Sequence, residues 1–268
     1  MAEPRMVTFT TDFGLDDAFV GIMHGVVLNI EPQTRIVDIS HAVASYDILD
    51  GAFTIAQAYR FFPPRTAHVI VVDPGVGSER RPILAETENY VFVAPDNGVL
   101  SMIEARAPKF TARHITADRY FLQPVSQTFH GRDVFAAVAG WLSKGIDPAD
   151  FGPEITDYVR LSLPTVERIG ENSLRGVVLK VDKFGNLITN IGEQEAPELF
   201  ASPTPPVSIL IGGQTITRIC KSYAEGGDGE YFAIIGSSEY LEIAARQASA
   251  AAKLNEGVGS PVGIVFGS

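Results

Sequence analysis

The chain has 268 residues, of which 46% are hydrophobic and 20% are charged, and its formal net charge is −11 at pH 7. This composition is typical of a globular protein with one large domain or two smaller ones. The acidic balance argues against nucleic acids and anionic membranes as partners. No apolar run approaches the ~18 residues of a membrane helix, the start lacks the apolar core of a signal peptide, and Cys220 is the single cysteine. We therefore expect a cytoplasmic protein, and its charge is compatible with a cationic small ligand.

The first half of the chain alternates strand patterns with helix patterns. Apolar, strand-like runs occur at 7–11, 35–39, 69–72 and 90–94. Helical spacing of apolar residues predicts helices at 16–30, 48–62 and 133–144. Strands interleaved with helices predict a largely parallel sheet covered by helices on both faces.

From Ser173 onward the pattern changes to short alternating strands separated by glycines. These strands are predicted at 174–182, 187–191, 207–211, 214–219, 231–235, 240–245 and 262–266. The pair Gly212 and Gly213 predicts a two-residue hairpin turn. We therefore expect an α/β domain over residues 1–165 and a small antiparallel β-barrel or sandwich over residues 172–268.

Charged residues follow the buried strand at 69–72. Asp73 stops that strand, and Arg80 and Arg81 lie on the same glycine-containing loop. In open α/β sheets, ligands bind at the edge formed by the carboxyl ends of the strands. Asp73 and Arg80 together can orient a water molecule, or they close a structural turn with an ion pair.

Two further loops carry candidate site residues. Asp12 lies at the carboxyl end of the first strand, where a carboxylate suits a ribose diol, whereas Asp16 or Asp17 can cap the following helix. His130 comes immediately before a helix, and Gly131 is expected to leave space beside it. A lone histidine in such a position is more often structural than catalytic.

One more candidate residue lies on the turn at 182–186, and several known catalytic and metal-binding motifs are absent. Asn186 either shapes a hairpin turn or presents its amide to the edge of a heterocycle, because an amide both donates and accepts. The five histidines lack the HExxH spacing, and one cysteine excludes a thiolate zinc site. No P-loop, dinucleotide fingerprint or G-x-S-x-G elbow is present. We expect no metal site.

Six motifs occur in the same order as in a known family. They are residues 11–17 (TDFGLDD), 73–81 (DPGVGSERR), 94–98 (APDNG), 128–133 (TFHGRD), 182–186 (DKFGN) and 236–244 (GSSEYLEIA). On these motifs the chain resembles the S-adenosylmethionine hydroxide adenosyltransferases, which are related to fluorinases and chlorinases. The resemblance covers essentially the whole chain, and it departs at Glu239, where glycine is expected.

The resemblance implies a fold, an activity and a set of site residues. It implies an N-terminal α/β domain, a C-terminal β-barrel and a homotrimer with sites between subunits. It also implies cleavage of S-adenosylmethionine by water to adenosine and L-methionine, with no metal and no cofactor. By position, Asp73, Arg80 and His130 would hold the attacking water, and the choice of base between Asp73 and His130 stays open. The matching substrate contacts are Asp12 for the ribose, Tyr46 for packing, Asn186 and Tyr223 for adenine, Asp16, Asp182 and Ser237 for the methionine part, Ser238 beside them, and Glu239 in the methionine loop.

Two other functions compete with this interpretation. A halogenase on the same fold carries tyrosine where this chain has Asp73, and a carboxylate at that point would repel a halide. The short segment 86–89 also lacks the fluorinase insertion. A non-catalytic sensor or carrier of S-adenosylmethionine or a nucleoside would need Asp12, Asn186 and the aromatic residues. It would not need Asp73, Arg80 and His130 together. The sequence therefore favours an enzyme.

Overall fold

Apolar strands and amphipathic helices build the N-terminal unit, which ends at Leu161; a second compact unit begins at Ser162. The computed structural model describes residues 6–201 and 205–267. The described strands of the N-terminal unit are β1 Met6–Thr11, β2 Arg35–Ser40, β3 Ala67–Val71, β4 Pro82–Glu86, β5 Val91–Pro95, β6 Thr111–His114 and β7 Glu154–Ile155. Its described α-helices are α1 Phe19–Ile30, α2 Ile48–Ala58, α3 Ser101–Glu104 and α4 Ala137–Ser143.

The predicted helices are present but shorter than the apolar spacing indicates. Helix α1 begins three residues later than predicted, with Ala18 at the N-cap position and no side-chain cap. The alternative that Asp16 or Asp17 caps this helix is therefore wrong. Helix α2 ends at Ala58 and continues as a 3₁₀ turn, and a π-helical turn over 131–136 precedes α4.

The N-terminal sheet is mixed, so the prediction of a largely parallel sheet holds for only one side of it. The strand order is β2-β1-β3-β5-β4-β6-β7. Pairs β1–β2, β1–β3 and β3–β5 are parallel, whereas β4 pairs antiparallel with both β5 and β6, and β6 with β7. The four-residue link 87–90 between β4 and β5 is too short for a parallel crossover, which explains the change of direction.

Register in the parallel half brings two of the predicted site loops to one edge. Thr11 at the end of β1 pairs with Val71 at the end of β3. Every residue of β3 is buried, as expected for a central strand covered on both faces. Asp12 follows β1 directly and Asp73 lies two residues beyond the end of β3, so both acids lie at the carboxyl edge of the sheet.

A buried histidine lies in the middle of this sheet. His68 is fully buried, its Nδ1 lies 2.7 Å from the Thr8 hydroxyl, and its ring stacks on Phe92. Burial lowers the pKa of His68 to about 3, so the ring is neutral in the folded protein. Its reference pKa of about 6.5 applies once the chain unfolds.

We expect His68 to make the protein less stable in mild acid. Because the unfolded state binds the proton and the folded state does not, stability falls as the pH drops from about 6.5 toward 3. The loss between pH 8 and pH 5 is about 2 kcal/mol from this residue. Urea unfolding of the wild type and of the double variant His68→Phe, Thr8→Val at both pH values measures it. An equal pH dependence in the two proteins would contradict the assignment.

The C-terminal unit is antiparallel, as predicted. Its described strands are β8 Glu167–Arg168, β9 Ser173–Val181, β10 Leu187–Gly192, β11 Val207–Ile211, β12 Gln214–Ile216, β13 Ile219–Cys220, β14 Tyr231–Ile235, β15 Tyr240–Ala245 and β16 Pro261–Phe266. The order is β12-β11-β16-β9-β10-β15-β14-β13, with β8 added to β9, and β13–β14 is the parallel exception. Its described helices are α5 Pro197–Phe200 and α6 Ala250–Leu254.

This second sheet is curled, because strand β9 serves two partners along its length. Its first half pairs with β16 and its second half pairs with β10, where the register shifts. Both glycines of the predicted hairpin, Gly212 and Gly213, have positive φ, and Ile211 pairs with Gln214 across them. Closure of the sheet into a barrel stays a prediction. None of the helices in the described parts of the chain is long and apolar enough to span a membrane.

Candidate active site

The loop after β3 holds an acid and an arginine in a bidentate ion pair. Arg80 Nε donates to Asp73 Oδ1 at 3.0 Å, and Arg80 Nη2 donates to Asp73 Oδ2 at 2.5 Å. Their side chains are only 9% and 5% exposed. Two parallel charge-assisted hydrogen bonds fix both groups, so the pair is rigid as well as buried.

His130 extends this pair into a three-residue cluster. Arg80 Nη2 lies 2.7 Å from His130 Nδ1. A guanidinium group can only donate, so Nδ1 accepts and the proton of the neutral ring is on Nε2. Burial lowers the pKa of His130, and the charge of Arg80 lowers it further against the opposing charges of Asp73 and Asp133. The structure thus brings together the three residues that the motifs assign to the attacking water.

One donor of the cluster is left without a protein partner. Nη1 of Arg80 is buried and has no hydrogen-bond partner among the described residues. The guanidinium lies 5.2 Å from the centre of the Phe135 ring, which covers one of its sides. A buried unsatisfied donor costs about 1–3 kcal/mol, and an oxygen atom from water or a ligand would satisfy it.

The neighbouring loops explain why the cluster is rigid. Asn97 Nδ2 donates to the Val72 carbonyl at 2.8 Å and so ties the 94–98 motif to the residue before Asp73. Gly77 has φ +77, and a Cβ there would lie 2.3 Å from the Gln127 carbonyl oxygen. The 73–81 loop therefore contacts the segment that carries His130, and only glycine permits this approach.

Arg81 and Asp133, which lie on the same motifs as the cluster, make ion pairs and hydrogen bonds of their own. Arg81 pairs with Asp96 at 2.7 Å and with Asp157 at 2.9 Å, so the second arginine faces away from the cluster. Asp133 is fully buried and accepts from the Ser126 backbone N–H at 2.8 Å. These contacts hold the loops that position Arg80 and His130.

Gly131 does not leave space beside His130, so that expectation is wrong. A Cβ at Gly131 would lie 3.2 Å from Phe129 Cε2 and 3.3 Å from Met23 Sδ. The glycine instead lets the π-helical turn contact α1 closely.

Asp12 and Tyr46 lie together at the same sheet edge. Asp12 Oδ2 accepts from the Tyr46 backbone N–H at 2.8 Å. Tyr46 has φ +66, an unusual value for a tyrosine, and its side chain is 74% exposed. Asp12 thus holds the loop that presents Tyr46. Asp16 is exposed, and its side chain makes no hydrogen bond within the described part of the chain. The structure therefore shows no contact between Asp16 and the Asp12–Tyr46 pair.

A second polar cluster lies in the C-terminal unit, beginning with the turn between β9 and β10. Asp182 Oδ1 accepts from the backbone N–H groups of Phe184 and Asn186, each at 2.8 Å. Asp182 Oδ2 accepts from Asn186 Nδ2, also at 2.8 Å. Asp182 therefore shapes its own turn and fixes the plane of the Asn186 amide.

Glu242, to which the motifs assign no role, contacts two of the predicted site residues. Tyr223 Oη donates to Glu242 Oε2 at 2.8 Å, and Ser238 Oγ donates to Oε1 at 3.3 Å. Glu242 is only 5% exposed, and a Cβ at Gly236 would lie 1.7 Å from its Oε1. The available signal is a lone acid within the apolar strand sequence Leu-Glu-Ile-Ala.

Burial governs the protonation of these two groups. It raises the pKa of Glu242, against the hydrogen bonds from Tyr223 and Ser238, and the nearby charge of Asp182 raises it further. Burial also raises the pKa of Tyr223, with added contributions from its hydrogen bond to Glu242 and from the Glu242 and Asp182 charges. Tyr223 thus stays a protonated donor at neutral pH, held by Glu242.

The remaining predicted residues lie on the turn between β14 and β15. Ser237 is exposed, and Glu239 has φ +67, the left-handed region that favours glycine. The backbone N–H of Glu239 donates to the Gly236 carbonyl at 3.0 Å and closes the turn. The glycine expected from the motif therefore corresponds to a real backbone requirement, which this chain meets with glutamate.

An α/β unit with a charged cluster at the carboxyl edge of its sheet, followed by an antiparallel unit with a second polar cluster, defines a two-domain protein whose clusters have the chemistry to bind a small polar ligand. The models of the SAM hydroxide adenosyltransferase N-terminal and C-terminal domains match residues 7–152 and 176–263. The chain belongs to the SAM hydroxide adenosyltransferase family.

Individual relatives agree with this membership. The chain is 36% identical to a Salinispora tropica protein named (R)-S-adenosyl-L-methionine hydrolase, with 94% of each chain covered. A fluorinase of an Actinoplanes species is 24% identical, with coverage of 93% and 94%. The crystal structure of an uncharacterized conserved protein from Thermotoga maritima superimposes with a TM-score of 0.90 at 31% identity, covering 97% of this chain and all of the other.

Proposed function

We propose that this protein hydrolyses S-adenosyl-L-methionine to adenosine and L-methionine by attack of water at C5′. The observation that carries the proposal is the buried Asp73–Arg80–His130 cluster, in which Arg80 Nη1 has no partner among the described residues. Family membership and the name of the S. tropica relative support the same substrate. We further propose that no cofactor and no metal take part in this reaction.

The chemistry is a single displacement. The water oxygen forms a bond to C5′, the C5′–sulfur bond breaks, and its electron pair goes to sulfur. Because the sulfonium leaves as a neutral thioether, the leaving group needs no acid. The difficulty is the weak nucleophile, so the protein must orient the water and remove its proton.

The geometry favours Asp73 over His130 as the group that takes this proton. Nδ1 of His130 is occupied by the Arg80 donor and Nε2 carries the ring proton, so the neutral ring has no accepting nitrogen facing away from Arg80. We infer that Nε2–H orients the water, that Arg80 Nη1 stabilises the developing hydroxide, and that the Asp73 carboxylate accepts the proton.

The other residues would bind the substrate. In this proposal the second oxygen of Asp12 accepts from the ribose hydroxyls, and Tyr46 packs against the substrate. Asn186 reads the adenine edge with an amide that Asp182 holds in place, and Tyr223 stacks on the base. Asp16, Ser237, Ser238 and the Glu239 turn would hold the methionine part.

The expectations on assembly belong to the same proposal. We propose a cytoplasmic homotrimer with sites between subunits and a barrel-like C-terminal domain, and no nucleic-acid or membrane partner, in line with the net charge of −11. Sedimentation equilibrium of the purified protein tests the trimer, and a monomeric mass would contradict it.

Product analysis tests the proposed activity. Purified protein is incubated with S-adenosyl-L-methionine with and without chloride, and the products are separated by chromatography. We expect equal amounts of adenosine and methionine, unaffected by chloride. A 5′-halogenated nucleoside would instead identify a halogenase, and tight binding without turnover would identify a sensor.

A further inference from the structure

Three side chains that do not belong to the Asp73–Arg80–His130 cluster meet on the N-terminal unit, one from helix α1 and two from strand β2 and the residue after it. They are His24 on α1, Asp38 on β2 and His41 just after β2. Asp38 Oδ1 forms a hydrogen bond with His24 Nε2 at 2.9 Å and lies 3.0 Å from His41 Nε2. The three candidate ligand atoms all lie within 4.8 Å of one another.

The contact between His41 and Asp38 is not an ordinary hydrogen bond. His41 is only 6% exposed, and its Nε2 has no hydrogen-bond partner among the described residues even though Asp38 Oδ1 is 3.0 Å away. The two atoms are close enough for an ion pair, but an N–H on Nε2 of His41 would not point at Asp38 Oδ1 as a hydrogen bond requires. A buried nitrogen at this distance without a shared proton fits two lone pairs directed at one cation.

The opposite side of the His41 ring is fixed by a second oxygen. His41 Nδ1 lies 2.8 Å from Thr11 Oγ1. Histidines that bind metals usually donate their other ring N–H to an oxygen, which fixes the tautomer and leaves the first nitrogen free to coordinate. Thr11 supplies such an oxygen at the end of β1.

The spacing and chemistry match a divalent transition metal. Zinc–nitrogen and zinc–oxygen bonds of about 2.0–2.2 Å place tetrahedral ligand atoms about 3.3–3.6 Å apart. Asp38 Oδ1 lies 2.9 and 3.0 Å from the two Nε2 atoms, so a shift of a few tenths of an ångström by the partly exposed Asp38 side chain would open the site to the ion. Two imidazoles and one carboxylate suit zinc and its neighbours, whereas magnesium and calcium prefer oxygen ligands. The side chains of His24 and Asp38 are 25% and 38% exposed, so an ion can enter and water can complete its coordination.

We propose that His24, Asp38 and His41 form a binding site for one divalent transition-metal ion, of which Zn²⁺ is the representative. The ion would join α1, β2 and the loop that leads to Tyr46. Because the His41 carbonyl accepts from the Gly14 N–H at 2.8 Å, it would also stiffen the segment that follows Asp12. Its role is structural, and it is separate from the proposed hydrolysis.

Metal binding to tag-free protein tests the site without recourse to activity. After treatment with a chelator and gel filtration, the protein is titrated with Zn²⁺ by calorimetry and with Co²⁺ by visible absorption. We expect one ion per chain, Co²⁺ bands typical of nitrogen and oxygen ligands, a higher Tm with Zn²⁺, and no saturable binding of Mg²⁺ or Ca²⁺.

Two variants locate the ion. His24→Ala and Asp38→Asn alter partly exposed side chains, so we expect both to fold and to lose affinity by at least ~10-fold. His114→Ala, which removes a histidine outside the cluster, is the matched control and should bind as the wild type does. No saturable Zn²⁺ binding by the wild type, or unchanged binding in both variants, would overturn the proposal.

Discussion

Replacing Arg80 with alanine is expected to lower kcat by about 10²–10³-fold, because the variant loses the cation that stabilises the developing hydroxide. Adenosine should bind to the variant within a few-fold of the wild type, since the proposed mechanism gives Arg80 a contact with the water and none with the nucleoside. Steady-state kinetics with S-adenosyl-L-methionine and calorimetry with adenosine separate the two effects.

The control for this prediction must carry the same loss of charge. Arg160→Ala removes an arginine whose ion pair with Glu104 is half exposed, and it should leave kcat unchanged. Because Asp73 is left buried without its partner in Arg80→Ala, the Tm of the variant is measured alongside. A folded Arg80→Ala protein with near-wild-type kcat would contradict the proposed role of the cluster in activating water.

His130 variants distinguish an orienting group from a base. Glutamine can accept from Arg80 through Oε1 and donate to water through Nε2, as the neutral ring does, but it cannot take a proton. We therefore expect His130→Gln to retain much more activity than His130→Ala. Equal, severe losses in both variants would assign the base to His130 instead of Asp73.

The second large effect is expected at Asp12. Asp12→Ala removes both the proposed acceptor for the ribose diol and the hydrogen bond that holds the Tyr46 N–H. Charge-assisted hydrogen bonds contribute about 1.5–3 kcal/mol each, so we expect adenosine affinity to fall by roughly 10–100-fold. Calorimetry with adenosine measures this loss directly.

Neighbouring acids provide the comparison for Asp12. Asp12→Asn keeps an oxygen for the Tyr46 N–H but lacks the charge, so its affinity should lie between those of the wild type and Asp12→Ala. Asp17→Asn alters an exposed acid of the same motif that has no assigned contact, and it should bind normally. An unchanged affinity in Asp12→Ala would contradict the ribose role.

Much of this architecture follows from local sequence pattern. Hydrophobic alternation predicts β10, β11, β14 and β15 to within a residue, because each carries its own apolar periodicity and glycine boundaries. Strands β6 and β7 escape prediction, since they are short, partly polar and defined mainly by pairing with distant residues. The mixed character of the first sheet likewise depends on which strands pair, which periodicity does not encode.

Some contacts in the candidate site can also be predicted from the sequence, whereas others cannot. The pairing of Asp73 with Arg80 is predictable, because the two residues lie seven positions apart on one loop. The position of Asp12 at the same sheet edge is predictable because β1 is parallel to β3. The contacts of Glu242 with Tyr223 and of Asp38 with His24 are harder to predict, because packing between elements distant in sequence brings these residues together. The absence of the HExxH spacing excludes one arrangement on a single helix, but says nothing about histidines on different elements.

The origin of the oxygen in the product tests the central claim most directly. The reaction is run in water enriched in ¹⁸O, adenosine and methionine are separated, and the ¹⁸O content of each is measured by mass spectrometry. Attack of water at C5′ predicts one ¹⁸O atom in adenosine, at the 5′-hydroxyl, and none in methionine. Unlabelled adenosine, or a 5′-substituted nucleoside in its place, would contradict the proposed displacement by water.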